Sequence, residues 1–199
     1  EGCYTVAYPM AELARVLKRP ELAELALRHL EARKKANVHD GDIYQRAALE
    51  GSKRLRNWAR GACWYYNGIV RTLQALDDPA AAKAWQTEIR RVADLLMKQQ
   101  REDGLWGNFI HDPASAADTS GSAGLAAALA RAHTSGWLGE NAKQAAQRTL
   151  TGLTRHLTPD GLLAGAAQSN KGGDALQKGD YRTIYQMGMG LKMQLMAAL

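Results

Sequence analysis

The chain has 199 residues, of which 46% are hydrophobic and 23% charged, a composition typical of a globular protein and not of a disordered one. Its 26 basic and 20 acidic residues leave six excess positive charges, dispersed and without a groove-reading motif, so we expect no nucleic-acid partner and allow an acidic small substrate. No run of 18 apolar residues occurs, and the two cysteines and five histidines lack ligand spacing. We therefore expect no membrane partner, no metal and no cofactor.

Helices of two kinds are predicted along the chain, because apolar residues recur with helical spacing and strand-like runs are hardly found. One kind begins with glycine and small residues and carries few charges, which is typical of an inner helix. The other kind is charged with one apolar stripe, which is typical of an outer helix. In chain order they are inner 1–19, outer 20–36, inner 60–73, outer 79–101, inner 119–132, outer 140–157 and inner 185–199.

Three Asp-Gly turns punctuate these helices, at Asp40-Gly41, Asp103-Gly104 and Asp160-Gly161, with spacings of 63 and 57 residues. Each turn follows an outer helix, so one unit of inner helix, outer helix and loop repeats about three and a half times. Such units either stack into an open solenoid or close into a ring. Because small and aromatic residues gather at the inner-helix starts, we favour the ring, as a single all-α domain over 1–199.

The start of the second inner helix is rich in aromatic residues. The stretch "NWARGACWYYNG" at 57–68 holds two tryptophans, two tyrosines and one arginine, in a chain with a single phenylalanine. A packed core favours aliphatic side chains, whereas flat rings, a planar guanidinium and bare backbone suit a binding pocket. This stretch therefore predicts a pocket at the mouth of the ring.

Three segments resemble one family. "WARGACW" at 58–64 is similar to the Trp-x-Arg-Gly-x-x-Trp motif of the unsaturated uronyl hydrolases, glycoside hydrolase families 88 and 105. "DGLWGNFIHDPASAADTSGSAGLAAALARA" at 103–132 resembles the segment that follows in that family, and "EGCYTVAYPMAELARVLKR" at 1–19 resembles its acidic-residue helix. The order and the spacing of the first two motifs agree with the family.

The resemblance implies an (α/α)6 barrel of six inner and six outer helices, of which this chain supplies roughly the C-terminal seven. It also implies a reaction in which an acid protonates the double bond of a terminal 4,5-unsaturated uronic acid and water adds at C5, by vinyl-ether hydration. The implied partner is an acidic unsaturated oligosaccharide, such as a rhamnogalacturonan fragment. The family's acidic residue aligns with Glu1, which is the candidate catalytic residue here.

The resemblance and the residue types together give the candidate substrate-binding residues. Arg60 suits a uronate carboxylate or sugar hydroxyls, with an ion pair to a loop carboxylate as the alternative. Trp58 and Trp64 can stack on the sugar ring, with core packing as the alternative. The remaining candidates are Gln45, which stands where the family often has a histidine, the helix-start residues Asp118, Thr119 and Ser120, which alternatively cap the helix, and the loop residue Lys171.

Two functions follow from these residues. The first is hydrolytic release of the unsaturated uronic acid. The second is a sugar- or partner-binding toroid with impaired catalysis, because Glu1 replaces an aspartate and Gln45 replaces a histidine. We expect a cytoplasmic protein, with the periplasm as the alternative, and the sequence leaves the oligomeric state open.

Overall fold

The computed structural model describes residues 1–48 and 50–199. Its helices are α1 (Tyr8–Leu17, preceded by a π-helical segment Cys3–Ala7), α2 (Pro20–Asn37), α3 (Ala59–Leu76), α4 (Pro79–Gln99), α5 (Thr119–Thr134), α6 (Glu140–Thr154), α7 (Gly173–Lys178) and α8 (Gln186–Met196). The seven long helices of the described residues coincide with the seven predicted ones, and their ends differ by at most three residues when the π-helical segment is counted with α1. The short α7 lies in the loop before α8.

The inner helices form the centre of the core. Almost every residue of α3 and α5 is buried. α5 packs between α3 and α8, and the segment Cys3–Ala7 with α1 packs on the other side of α3. α4 and α6 cover this layer, each through one buried stripe that includes Trp85, Ile89, Val92 and Leu96 in α4. The alternation of inner and outer helices confirms the predicted architecture, part of an (α/α)6 barrel.

The predicted helix starts are confirmed. Asp78 precedes Pro79, and its carboxylate accepts a hydrogen bond from the amide of Ala80 at 2.8 Å. Glycine also has the packing role expected in an inner helix, because a Cβ atom at Gly68 would overlap the backbone of Cys3. No helix in 1–48 or 50–199 combines the length and the apolarity needed to cross a bilayer.

The expectation of hardly any strand is wrong for the region before α3. Strands β1 (Val38–His39), β2 (Asp42–Ala47) and β3 (Lys53–Arg56) form an antiparallel sheet in the order β1-β2-β3. The Asp40-Gly41 pair makes the two-residue turn between β1 and β2, since both residues have positive φ, as a type I′ turn requires. Two further strands, β4 (Ala166–Ala167) and β5 (Arg182–Thr183), pair in the loop between α6 and α8.

A buried carboxylate fastens this sheet to the helices. Glu88 of α4 accepts hydrogen bonds from the Tyr65 hydroxyl at 2.7 Å and from Arg91 at 2.6 Å, and Arg91 also donates to the carbonyl oxygen of Gly41. Burial opposes ionisation of Glu88, but the hydrogen bonds from Arg91 and Tyr65 outweigh it and lower its pKa. The outer helix, an inner helix and the β1-β2 turn are thereby joined at one point.

Candidate active site

The loops that precede α3, α5 and α8 lie together at the N-terminal ends of these helices. Trp58 forms a β-bridge with Phe109, which joins the loop before α3 to the loop before α5. Leu55 and Asn57 have left-handed φ angles, and the Asn57 side chain accepts a hydrogen bond from the amide of Ile43 at 2.8 Å. This strained entry fixes the direction in which the chain enters α3.

A cavity of about 260 Å³ opens beside the first residues of the chain. Glu1 and Trp64, two of the predicted site residues, lie in its wall, and Tyr4 stacks at a tilt on Trp64 with ring centroids 5.2 Å apart. The complete lining is Glu1, Tyr4, Thr5, Trp64, Met187, Gly190, Leu191 and Gln194. A cavity slightly smaller than the roughly 300 to 1,000 Å³ of typical ligand sites suits a single sugar ring.

Arg60 lies one helical turn before Trp64 and is almost wholly buried. Its Nη1 donates to the hydroxyl of Ser120 at 2.9 Å and to the carbonyl of Ala167 at 2.8 Å, and its Nη2 donates to the carbonyl of Gln168 at 2.6 Å. These neutral acceptors, and no carboxylate of the described residues, hold the guanidinium. Three of the five N–H groups of Arg60 therefore donate to these acceptors.

Two aromatic rings enclose the Arg60 guanidinium. The ring centroid of Trp58 lies 4.7 Å from its central carbon, and that of Tyr185 lies 5.2 Å away. Both distances fall within the range of cation–π attraction. Trp58 is itself buried, so the structure places it in the packing of this cluster.

The start of α5 completes the cluster around Arg60. Asp118 accepts hydrogen bonds from the amides of Ser120 and Gly121 at 3.1 and 3.0 Å, which caps the helix as the sequence alternative predicts. The same carboxylate also accepts from the Ser120 hydroxyl at 2.7 Å and from the amide of Ala167 at 3.0 Å. Thr119 donates to the carbonyl of Ala164 at 2.8 Å. The start of α5 and Arg60 therefore hold the same loop, 164–168.

Gln177, in the short helix α7, is a member of this cluster that the sequence did not reveal. Its amide oxygen accepts from the Trp58 indole at 2.9 Å, and its amide nitrogen donates to the carbonyls of Gln168 and Ser169 at 3.1 and 3.0 Å. It is buried although it lies in a polar, glycine-rich segment without apolar periodicity. Its only sequence signal is the neighbouring glycines, which mark a loop and not a buried amide.

The predicted site residues fall into three groups. Glu1 and Trp64 share the cavity, and Gln45 lies beside Glu1 in an adjoining narrow cleft. Arg60, Trp58, Asp118, Thr119 and Ser120 form the buried cluster described above. Lys171 is exposed, three residues after the loop 164–168 that this cluster holds. The role of each residue toward a sugar stays a prediction.

The two cysteines lie beside the site as inert packing groups. Burial, and then the charge of Asp118, raise the pKa of the Cys63 thiol, and burial raises the pKa of Cys3 to about 11. Both thiols therefore stay protonated near neutral pH, and neither has the thiolate character of a nucleophile.

Comparison with known proteins identifies the family. The model of Glycosyl Hydrolase Family 88 matches residues 2–199. The chain belongs to this family. Among curated relatives, the protein Atu3128 of Agrobacterium fabrum is 34% identical over 148 residues, which cover 67% of this chain and 64% of that protein.

Solved structures of family 88 and 105 proteins share the fold of this family 88 chain. A possible family 105 member from Salmonella enterica superposes with a TM-score of 0.90 at 22% identity, covering 98% of this chain and 54% of that one. The unsaturated glucuronyl hydrolase of Bacillus sp. GL1, described as responsible for glycosaminoglycan degradation, superposes with a TM-score of 0.72 at 20% identity, covering 97% and 55%. The chain thus spans about half of these proteins and less than two thirds of the curated relative.

Proposed function

We propose that the protein is a glycoside hydrolase that removes a terminal 4,5-unsaturated uronic acid from lyase-generated acidic oligosaccharides, with rhamnogalacturonan-type fragments as the preferred class. The observation that carries this proposal is the cavity lined by Glu1 and Trp64, whose volume of about 260 Å³ has room for one sugar ring. Membership of Glycosyl Hydrolase Family 88 supports it.

The proposed reaction needs one carboxyl group and one water molecule. The carboxyl of Glu1 gives its proton to C4 of the C4=C5 double bond, and the positive charge that develops is shared between C5 and the ring oxygen. Water then adds its oxygen to C5 and returns a proton to the carboxylate, which restores the acid. The resulting hemiketal opens and releases the remaining sugar, so no redox partner is required.

Substrate binding is proposed for the other predicted residues. Trp64 offers its ring face to the planar unsaturated sugar, and Gln45, next to Glu1, offers an amide for a sugar hydroxyl. Arg60 holds the loop 164–168 through two hydrogen bonds and the Ser120 hydroxyl through a third, and we propose that its other N–H groups serve an oxygen of the sugar. Lys171, exposed three residues after that loop, offers a cation to an acidic group of the leaving sugar.

The remaining candidates contribute through the same loop. Asp118, Thr119 and Ser120 bind the backbone of 164–167 or the guanidinium of Arg60, and Trp58 binds Gln177. We propose that they serve substrate binding by fixing the loop position.

The proposed reaction destroys a conjugated double bond, so loss of its ultraviolet absorbance measures the activity. We expect the protein to remove this absorbance from an unsaturated pectic disaccharide, and we expect Glu1→Gln to abolish the reaction because an amide has no proton to give. Glu12→Gln is the matched control, since Glu12 lies in an exposed ion pair with Arg15. No loss of absorbance with unsaturated pectic, alginate, ulvan or glycosaminoglycan fragments would contradict the proposal.

The second candidate function is sugar binding without turnover. It is favoured by Glu1 and Gln45, which replace the aspartate and the histidine expected from the family resemblance. A longer side chain misplaces the acid by one methylene, and proton transfer tolerates little misplacement. Calorimetry would distinguish the two functions, because this candidate predicts saturable binding of the unsaturated disaccharide with no change in absorbance.

We further propose a cytoplasmic location, with the periplasm as the alternative. The support is that Cys3 and Cys63 are both free thiols, which suits a reducing compartment. Cell fractionation with an antibody against the protein tests this location.

A further inference from the structure

A second polar layer lies below the cavity. Arg71 and Gln194 follow the cavity residues Trp64 and Met187 by seven positions on α3 and α8. Seven residues are about two helical turns, so Arg71 lies on the same helix face as Trp64, about 10 Å further along α3. Gln194 still lines the cavity and connects it to this deeper level. We call this group the floor layer, and its polar side chains are Tyr8, Asn67, Arg71, Arg131 and Gln194.

Arg71 is the centre of the floor layer. Its Nη1 donates to the amide oxygen of Gln194 at 2.9 Å, and its Nη2 donates to the hydroxyl of Tyr8 at 2.6 Å. The ring centroid of Tyr8 lies 4.2 Å from the guanidinium carbon. All these partners are neutral groups, so the charge of Arg71 is not compensated by any of them.

Arg131 of α5 brings a second cation close to Arg71, because it reaches Gln74, which lies three residues after Arg71 on α3. Its only side-chain hydrogen bond within the described residues is a long one, 3.5 Å from Nη1 to the amide oxygen of Gln74, and its buried Nε has no partner there. Burial, and then the charge of Arg71, lower the pKa of Arg131. No carboxylate of 1–48 or 50–199 lies within ion-pair distance of Arg71 or Arg131.

Two neighbouring cations without an acid are unfavourable for the fold. Like charges repel each other, and each guanidinium loses hydration as it is buried. Polar groups in protein interiors are normally paired, so an unpaired buried donor requires an explanation. Around Arg71 and Arg131, hydrogen-bond donors outnumber acceptors and the net charge is positive. An oxyanion would supply both the missing acceptors and the negative charge.

We propose that Arg71 and Arg131 form a binding site for an oxyanion below the cavity, with the Tyr8 hydroxyl as a further donor. Planar guanidinium groups match the oxygens of a carboxylate, sulfate or phosphate. Asn67, whose buried Oδ1 has no partner within the described residues, leaves an acceptor for a water molecule on the anion. Binding of an oxyanion at this site does not require the proposed hydrolytic reaction.

The oxyanion has two possible sources. It is either a free anion or the carboxylate of a sugar in the cavity above, since Tyr4 and Gln194 line the cavity and are joined to each other by a hydrogen bond of 2.8 Å. Arg71 binds the same Gln194, so the two layers are in direct contact.

The test measures thermal stability of the protein in sodium sulfate and in sodium chloride at equal ionic strength. An anion at concentration c that binds only the folded state stabilises it by RT ln(1 + c/Kd), so the melting temperature rises with the anion concentration relative to Kd. We expect sulfate to stabilise the wild type beyond chloride, and Arg131→Gln to weaken the apparent sulfate affinity by about tenfold or more, because a charge-assisted hydrogen bond is lost. Arg28→Gln, an exposed arginine of α2, removes the same charge and should keep the sulfate effect.

Two further arms complete the test. Arg131→Lys keeps the charge and should retain part of the sulfate effect, which keeps the proposal testable if the glutamine variant is poorly folded. Glucuronate is compared with its neutral methyl ester: a stabilisation by glucuronate that depends on Arg131 assigns the site to the sugar carboxylate, and an effect of sulfate alone assigns it to a free anion. The proposal is overturned if sulfate and chloride act alike on the wild type, or if Arg131→Gln responds to sulfate as the wild type does.

Discussion

Arg60 at the mouth and Arg71 and Arg131 at the floor all lie on inner helices, yet their surroundings are opposite. Arg60 is surrounded by acceptors, namely two backbone carbonyls and the Ser120 hydroxyl. The floor arginines have more donors than acceptors, and the Nε atom of Arg131 has no partner in the described part of the chain. The burial of an arginine therefore does not by itself indicate its role. Arg60 uses its donors to hold a loop, whereas the floor arginines keep donors that an anion can use.

Arg60→Lys has the largest expected effect, because it removes hydrogen bonds that Arg60 makes at the mouth. A lysine carries all its donors on one nitrogen, so it cannot replace the three hydrogen bonds to Ser120, Ala167 and Gln168, and the carbonyl of Gln168 keeps only its donor from Gln177. We expect a loss of about 3 kcal/mol of unfolding free energy, which corresponds to roughly 6 to 12 °C in melting temperature for a chain of this size. Differential scanning calorimetry measures this change in melting temperature.

The functional consequence of Arg60→Lys is measured on the same protein. If the loop 164–168 positions the substrate, kcat/KM should fall by about 30-fold or more at a temperature where the variant is folded. Arg28→Lys is the matched control, because Arg28 is exposed on an outer helix. A variant with wild-type melting temperature and turnover would show that the hydrogen bonds of Arg60 contribute neither to stability nor to the site.

Arg91 differs from the arginines of the mouth and the floor, since its partner Glu88 is an ionised carboxylate. We expect an effect of intermediate size when this ion pair is changed. Glu88→Gln removes the charge but keeps one acceptor, so we expect a loss of about 1 to 2 kcal/mol at pH 7. The pKa of Glu88 is lower in the folded protein than in the unfolded chain, so its contribution is fully present above the unfolded pKa and is lost as the pH falls through the folded pKa. The difference in melting temperature between wild type and variant should therefore shrink from pH 7 to pH 4.

The control for Glu88→Gln is Glu12→Gln, which disrupts an exposed ion pair between residues three apart on α1. Such pairs contribute about 0.3 to 0.5 kcal/mol, so this variant should melt close to the wild type at both pH values. An equal loss for Glu88→Gln at pH 7 and pH 4 would show that the packing of the side chain, and not its charge, stabilises this junction.

The parts of the site that depend on local pattern can be predicted from the sequence. Glu1 and Trp64 are predicted at the mouth of an inner-helix ring, and both line the cavity. Asp118 is predicted to cap α5 as an alternative role, and its carboxylate does so. The β1-β2 hairpin is not predicted, although Asp-Gly is a favoured pair for its turn, because its strands are too short and too polar to show a long alternation of apolar residues.

The parts that depend on distant contacts could not be predicted. The acceptors of Arg60 come from a loop 107 and 108 residues later, and nothing in the sequence of that loop indicates which carbonyls face inward. Gln194 bonds to Tyr4 across 190 residues. The floor layer could not be predicted for another reason. The sequence pattern does not distinguish an arginine whose side chain packs inside the protein from one whose side chain points to solvent.

Arg131→Met has the smallest expected effect and tests the floor side of the comparison most directly. Methionine keeps an unbranched apolar stem and removes the charge and the unpaired Nε, while Gln74 keeps its hydrogen bond to Ser135 at 2.9 Å. Without an oxyanion we expect the free energy of unfolding to stay within about 1 kcal/mol of the wild type, and to rise if the repulsion between Arg71 and Arg131 exceeds what the long hydrogen bond to Gln74 contributes. In sulfate the wild type should be the more stable of the two, because only the wild type gains from the bound anion. Urea denaturation with and without sulfate measures both free energies of unfolding. If Arg131→Met lowers the free energy of unfolding by well over about 1 kcal/mol in the absence of the anion, the Arg131 guanidinium stabilises the fold through contacts of its own, as Arg60 does.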